Sequence, residues 1–161
     1  FTFEILIEQR SFERVLMPYV KNLQRAGITV QVRLVDHAQY KARLQAFDFD
    51  VITYVLPQSL SPGQEQRLYF HSSQADTPGS KNFSGIKNTV VDHLVEKIGS
   101  AHSRTELINN TRSLDRVLLW NYYTIPHWHL NYHRIAYWNK FARPTPGPSL
   151  TPGFPGWWLD N

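Results

Sequence analysis

Residues 47–70 read FDFDVITYVLPQSLSPGQEQRLYF, and the fold depends on how this stretch divides. Val51-Ile52-Thr53-Tyr54-Val55-Leu56 is β-branched and apolar, which predicts a strand over 51–56. Pro57 ends it, having no N–H to give a ladder. After Gln58 and Ser59, the tetrad Ser61-Pro62-Gly63-Gln64 carries three helix-start signals. Ser61 suits an N-cap, Pro62 a first helical position, and Gln64 can close a capping box. The expectation is a polar loop between the C-terminal end of a central strand and a new helix. Ligands of open α/β sheets bind there, and free N–H groups at a helix start favour anions. This loop is therefore the candidate functional centre.

Working toward the N-terminus, residues 28–35 alternate Ile, Val, Val and Leu with polar side chains, as a second strand would. Asp36 and Gln39 form a capping box that opens a short helix with Tyr40, Leu44 and Phe47 facing inward. Upstream, Ser11 can cap a helix whose stripe is Phe12, Val15, Leu16, Tyr19, Val20 and Leu23. Pro18 should kink that helix or mark a restart, and Gly27 should end it. Residues 1–8 read as the first strand. Strand, helix, strand, helix, strand with short links implies a βαβαβ unit and a parallel sheet. The fold class is α/β.

Toward the C-terminus, residues 72–85 are polar and rich in glycine and serine, hence a loop. Asn88 can cap a helix with Val90, Val91, Leu94 and Ile98 on one face. Ser103 and Glu106 make a capping box for a longer helix lined by Leu107, Thr111, Leu114, Val117 and Leu118. Residues 123–130 read as extended chain. From Arg143 onward the chain holds five of the ten prolines, so it cannot be helix or central strand, and Trp157 and Trp158 need a surface to cover. The organisation expected is one α/β lobe over residues 1–142 and a Pro/Gly-rich return segment or tail over 143–161.

With 161 residues, 42% of them hydrophobic, the chain can build one proper core. Its net charge of +4 is scattered, with no basic arm for nucleic acid. The absence of cysteine excludes disulfides, thiolate metal sites and cysteine nucleophiles. No apolar run reaches the roughly 18 residues of a membrane span. The opening FTFEILIEQR resembles a strand rather than a signal peptide, so the chain reads as an excised or mature piece.

Several chemistries can be weighed from the residues. His127 and His129 would share a strand face, with His133 four residues on, as in zinc sites. A metal-dependent enzyme is one reading of them, and packed histidines beside Trp128 and Trp138 are the other. No GxSxG elbow, Walker motif or dinucleotide turn is present. Asp48 and Asp50 point to one face at a strand start, where solvated or capping roles compete with catalysis. A non-catalytic interaction domain using the tail tryptophans is a third reading. What remains is a binding surface of Tyr54, Gln58, Ser59, Ser61, Asn82 and Ser84, polar and aromatic groups of the kind that line solute sites.

The run FERVLMPYVKNLQRAGITVQVRLVDHAQYKARLQAFDFDVI resembles the family-5 extracellular solute-binding proteins, the peptide-binding components of ABC importers. SLSPGQEQR, SKNFSGIKNTVVDHLVEKI and LDRVLLWNYYTIPHW are similar to one oligopeptide-binding group within that family. The resemblance implies one lobe of a type II periplasmic binding protein, with a second, N-terminal lobe elsewhere in the protein. It further implies a peptide or peptide-like solute held between the lobes, membrane subunits of an importer as partners, a periplasmic location and no cofactor. By the family's layout Tyr54, Gln58, Ser59, Asn82, Phe83 and Ser84 face the ligand. Many members place a Trp and an Asp after the third strand, the Asp holding the peptide's ammonium. Here Val55-Leu56-Pro57-Gln58-Ser59 contains neither, which leaves a modified or longer peptide open.

Overall fold

In a computed structural model of the chain, residues 1–127, 134–145 and 154–159 are described. By contact they fall into two compact units, Phe1–Thr124 and Ile125–Asn161.

The first unit is built on β1, Thr2–Ile7, whose Ile5, Leu6 and Ile7 are each 1% exposed or less. A strand buried on both faces needs apolar side chains at successive positions, and ILI supplies them. β2, Thr29–Leu34, pairs in parallel along one edge of β1, from Thr2 opposite Thr29 to Ile7 opposite Leu34. β3, Val51–Ile52, pairs in parallel along the other, with Val51 opposite Ile5 and Ile52 opposite Leu6. The sheet order is β2-β1-β3. The expected parallel α/β architecture is thus present, but β1 is its centre. The strand expected over 51–56 is two residues long and lies at the edge.

Helix α1, Glu13–Arg25, buries Leu16 and Val20 against Ile5, Ile7 and Val30. Ser11 does not cap it. A 3₁₀ turn over Arg10–Phe12 leads in, Phe12 holds the cap position with helical φ and ψ, and no side chain bonds the first turn. The helix runs through Pro18 as one element. It ends in a Schellman motif: Gly27 N–H donates to Gln24 O and Ile28 N–H to Leu23 O, both at 3.0 Å. Gly27 has φ +79°, which a side chain would resist.

Helix α2, His37–Gln45, covers the opposite face, where Leu6, Tyr40 and Leu44 form a second cluster. Its cap is as expected, Asp36 Oδ1 accepting from Gln39 N–H at 2.8 Å. Phe47, expected inward on the helix, instead follows it in the left-handed region at φ 54°, and Phe49 is the ring that packs on the cluster.

Glu4 ties these layers together near the start of β1. Its carboxylate pairs with Arg33 of β2 and, at 2.9 Å, with Arg43 of α2, while Asp50 accepts from the Glu4 N–H at 2.9 Å. The hydrogen bond from Arg33, helped by Arg43 and opposed by burial, holds the Glu4 carboxyl below its ordinary pKa. A depressed native pKa contributes stability above the unfolded value that is lost as pH falls through the native one. Glu4→Gln should therefore lose stability at neutral pH, and the two unfolding curves should converge between about pH 5 and pH 3. Denaturant titrations at a series of pH values read this directly.

The rest of the first unit is helical. α3, Glu65–Phe70, α4, Thr89–Gly99, and α5, Arg104–Trp120, enclose Tyr69, Phe70, Ile86, Val91, Val95, Ile98 and Leu114. Both caps are as expected. Asn88 accepts from the N–H of Val90 and Val91; Ser103 accepts from Glu106 N–H, and the Glu106 carboxylate reaches back to His102 N–H. Val90, expected on the inner face, is 54% exposed, and Val95 takes its place. In the second unit β4, Phe141–Ala142, pairs antiparallel with β5, Trp158–Leu159. The Trp157 ring packs on Tyr137 at 4.7 Å and on Phe154 at 5.2 Å. Among the described residues no helix is long and apolar enough to cross a membrane.

Candidate functional site

The order β2-β1-β3 selects one end of the sheet. The chain leaves β1 for β2 on one side, then crosses back over β1 to β3 on the other. In doubly wound sheets of this order, ligands bind beyond the C-terminal ends of the strands at the β1/β3 reversal. Three chain segments meet that end: the residues after β1, the start of α2, and the residues after β3.

Alternation along β1 puts Glu8 on the same face as Leu6, the face that α2 covers. Glu8 Oε2 lies 2.6 Å from Nδ1 of His37, the first residue of α2. One turn later the buried Tyr40 donates its hydroxyl to Thr53 O at 3.0 Å, just past the end of β3. Burial, then the charge of Glu8, then Tyr54, push the Tyr40 phenol up to about 12. At neutral pH it is a fixed, uncharged donor. Tyr54 follows, 44% exposed, its ring 4.7 Å from Phe83 at 68°. Phe83 in turn meets Phe49 at 6.3 Å and 70°. Such edge-to-face contacts orient rings without covering them.

Of the residues expected at the site, Tyr54 and Phe83 are brought together. Gln58, Ser59 and Ser61 share one exposed loop but bond within it or to the helices. Gln58 Oε1 accepts from Gln66 Nε2 at 2.6 Å, and Ser59 Oγ from Ser61 N–H at 3.1 Å. Arg104 Nη1, at the start of α5, donates to Leu60 O at 2.9 Å and to Ser61 Oγ at 3.4 Å. Ser61 is thus no N-cap. α3 begins at Glu65, Gln64 occupies the cap position without a side-chain bond, and Glu65 Oε1 accepts from Gly63 N–H. A helix of six residues whose preceding N–H is already satisfied offers no anion site, so the expected anion-binding helix start is not formed. Ser84 is exposed and donates to Tyr123 O at 2.9 Å.

Asn82 departs most from expectation. It is 0% exposed, with Nδ2 donating to His71 O and Ile86 O and Oδ1 accepting from Ile86 N–H at 2.9 Å. These bonds close the loop around Gly85, at φ +60°, and leave Asn82 nothing to offer a ligand. It holds Phe83 and Ser84 in place.

Asp48 bonds Arg43, and Asp50 bonds the Glu4 backbone, so both serve the other end of the strands. His127 lies in the second unit, and His129 and His133 fall outside the described residues. Among the described residues no group of three His, Asp or Glu is placed to hold a metal ion. An open depression of about 270 Å³ is lined by Leu68, Gln74, Thr77, Pro78, Gly79, Ser80 and Lys81. None of the expected ligand residues lines it.

Sequence reading missed Glu8, His37 and Tyr40. Only the order of the strands, which puts β3 beside β1, brings the three to Tyr54. Even so, a Glu directly after an apolar strand was a usable signal.

The fold, an α/β lobe on a parallel β2-β1-β3 sheet, is that of solved oligopeptide-binding proteins. The chain is similar over its whole length, at TM-score 0.70 and 19% identity, to 32% of the oligopeptide-binding protein AppA of Bacillus subtilis, solved with a nonapeptide. Among curated relatives, it is 45% identical over 156 residues to the probable peptide-binding protein YejA of Agrobacterium fabrum, covering 96% of this chain and 25% of that protein. It is 47% identical over 159 residues to the uncharacterized protein y4wM of Sinorhizobium fredii, covering 98% of this chain and 24% of that one. The chain is homologous to the YejA-type peptide-binding proteins and spans about a quarter of the length of these relatives. No family model matches it.

Proposed function

We propose that this chain forms one lobe of the solute-binding component of an ABC importer, holding a peptide or modified peptide at the rim where β1 and β3 end. One observation carries the reading. The parallel order β2-β1-β3 gathers Glu8, His37, Tyr54 and Phe83 at the strand ends, in a chain homologous to peptide-binding proteins. Tyr54, Val55 and Leu60 are 44%, 76% and 58% exposed, an apolar rim suited to a ligand or a second lobe. Gln58, Ser59, Ser61 and Ser84 add hydrogen-bonding groups beside it.

The ligand lies between this lobe and another in the complete protein and favours the closed arrangement, which the importer's membrane subunits recognise in the periplasm. The work is binding, not catalysis. A single lobe keeps one wall of the site and binds weakly.

The test is a thermal-shift titration of the 161-residue chain with a pool of two- to five-residue peptides, followed by mass spectrometry of the pool. A rise in melting temperature that grows with peptide concentration, with the peptides recovered intact, is expected. No shift at any concentration, or cleaved peptides, would contradict the proposal.

A further inference from the structure

We propose that the outer face of helix α1 docks on a bilayer surface of anionic lipid headgroups, making the chain a peripheral, salt-sensitive membrane binder. The inference goes beyond the reading of the rim and stands or falls separately from it.

Residues 10–25, α1 with the turn that leads into it, hold four basic residues, Arg10, Arg14, Lys21 and Arg25, against one acid, Glu13. That is +3 of the chain's +4, since the rest of the chain holds 13 basic and 12 acidic residues. In the sequence these cations stand four to seven residues apart and look scattered. At about 3.6 residues per turn the helix gathers Arg14, Lys21 and Arg25 into one row, with Arg10 ahead of them in the lead-in turn. All four are exposed, as are Met17 and Pro18, while Leu16 and Val20 face the core. Glu13 is half-buried and lies about 100° around the helix from Arg14.

Helix stability does not account for this row. Arg14 stands in the first turn, where the helix dipole disfavours a cation, and Lys21 and Arg25 are like charges at i and i+4. Arg33, Arg43, Arg67 and Lys87 each pair with a carboxylate. Among the described residues none of the α1 row does. Cations that oppose their own helix and stay unpaired suit an anionic partner from outside the chain.

The composition of the face selects the kind of partner. It carries no Trp, Tyr or Phe, and its apolar content is Met17 and Pro18. A protein interface needs a large anchor buried at its centre, whereas a plane of headgroups needs only charge. The apolar side of α1 is already spent on Ile5, Ile7 and Val30, so the helix rests on the surface without inserting. Each cation held near an anionic bilayer strengthens binding about fivefold.

The probes are vesicles of phosphatidylcholine alone and of phosphatidylcholine with an equal part of phosphatidylglycerol, co-sedimented with the 161-residue chain. At about 20 mM salt the chain should partition onto the anionic vesicles at least tenfold better than onto the neutral ones, and about 300 mM salt should abolish the difference. Arg14→Gln with Lys21→Gln should weaken the anionic binding about 25-fold, two cations at about fivefold each. Lys41→Gln with Arg112→Gln removes the same charge from α2 and α5 and should weaken it far less. Equal partition onto both vesicles, binding that survives high salt, or equal losses in the two double variants would overturn the proposal. So would capture by poly-L-glutamate through Arg14 and Lys21 without binding to anionic vesicles, which would assign the row to an acidic protein.

Discussion

Asn82→Ala should lower the unfolding free energy by about 3–5 kcal/mol, because the buried N–H and C=O of Ile86 both lose their partner and a hydrogen bond to His71 O goes with them. The carbonyl and the N–H of Ile86 are left facing a methyl group, while the His71 carbonyl keeps its bond from Gln74 N–H at 3.0 Å. Asn82→Asp is the sharper version. It keeps the shape and the acceptor for Ile86 N–H, but turns the donor edge into an acceptor facing two carbonyls. It should cost as much as alanine and become less damaging at low pH, where a protonated Asp can donate again. Denaturant unfolding at pH 7 and near pH 4 reads both. For scale, Asn88→Ala, which removes only the α4 cap, should cost about 1 kcal/mol. Similar small losses at both asparagines would mean that Asn82 does not organise the loop.

The second large effect is Ile5→Ala. Ile5 is 1% exposed in the central strand, pairs with Val32 and Val51 on its two sides, and packs with Leu16, Val20 and Val30. Removing most of the side chain from a site walled by strands and a helix should cost about 3–5 kcal/mol, transfer and cavity terms together. Val55→Ala should change stability by less than about 0.5 kcal/mol, since Val55 is 76% exposed. The pair separates a central β1 and a short β3 from a long strand over 51–56, which would make Val55 structural. Urea midpoints of the two variants suffice.

That contrast also shows what the residues disclose and what they do not. Periodicity and caps are local, and they place α1, α2, α4 and α5 within a few residues. Asp36, Asn88 and Ser103 each bond the N–H that their spacing implies. Gly27 is where a left-handed helix end is needed. Composition failed where tertiary context decides. Val51 to Leu56 is strand-like throughout, but the ladder to β1 stops at Ile52, and the next carbonyl, Thr53 O, accepts from the Tyr40 hydroxyl instead. Ser61-Pro62-Gly63-Gln64 has the grammar of a helix start, but Arg104 and Glu65 satisfy those groups from outside. Asn82 looks like a loop residue available to a ligand because loops are usually solvated; this one wraps around its own asparagine. Tyr54 was legible from the residues and Phe83 through family resemblance alone, while their contact and the placing of Glu8, His37 and Tyr40 needed the tertiary fold.

The central claim is that the strand ends at the β1/β3 reversal hold the ligand, and photo-crosslinking tests it most directly. A short peptide with a free N-terminus and a diazirine side chain would be irradiated with the 161-residue chain, and the modified residues mapped by mass spectrometry. Labels at Glu8, His37, Tyr54, Phe83 and Ser84, suppressed by excess unlabelled peptide, are the predicted result. Labels on the outer face of α1 or around Gln74 to Lys81, with the rim unmarked, would contradict it.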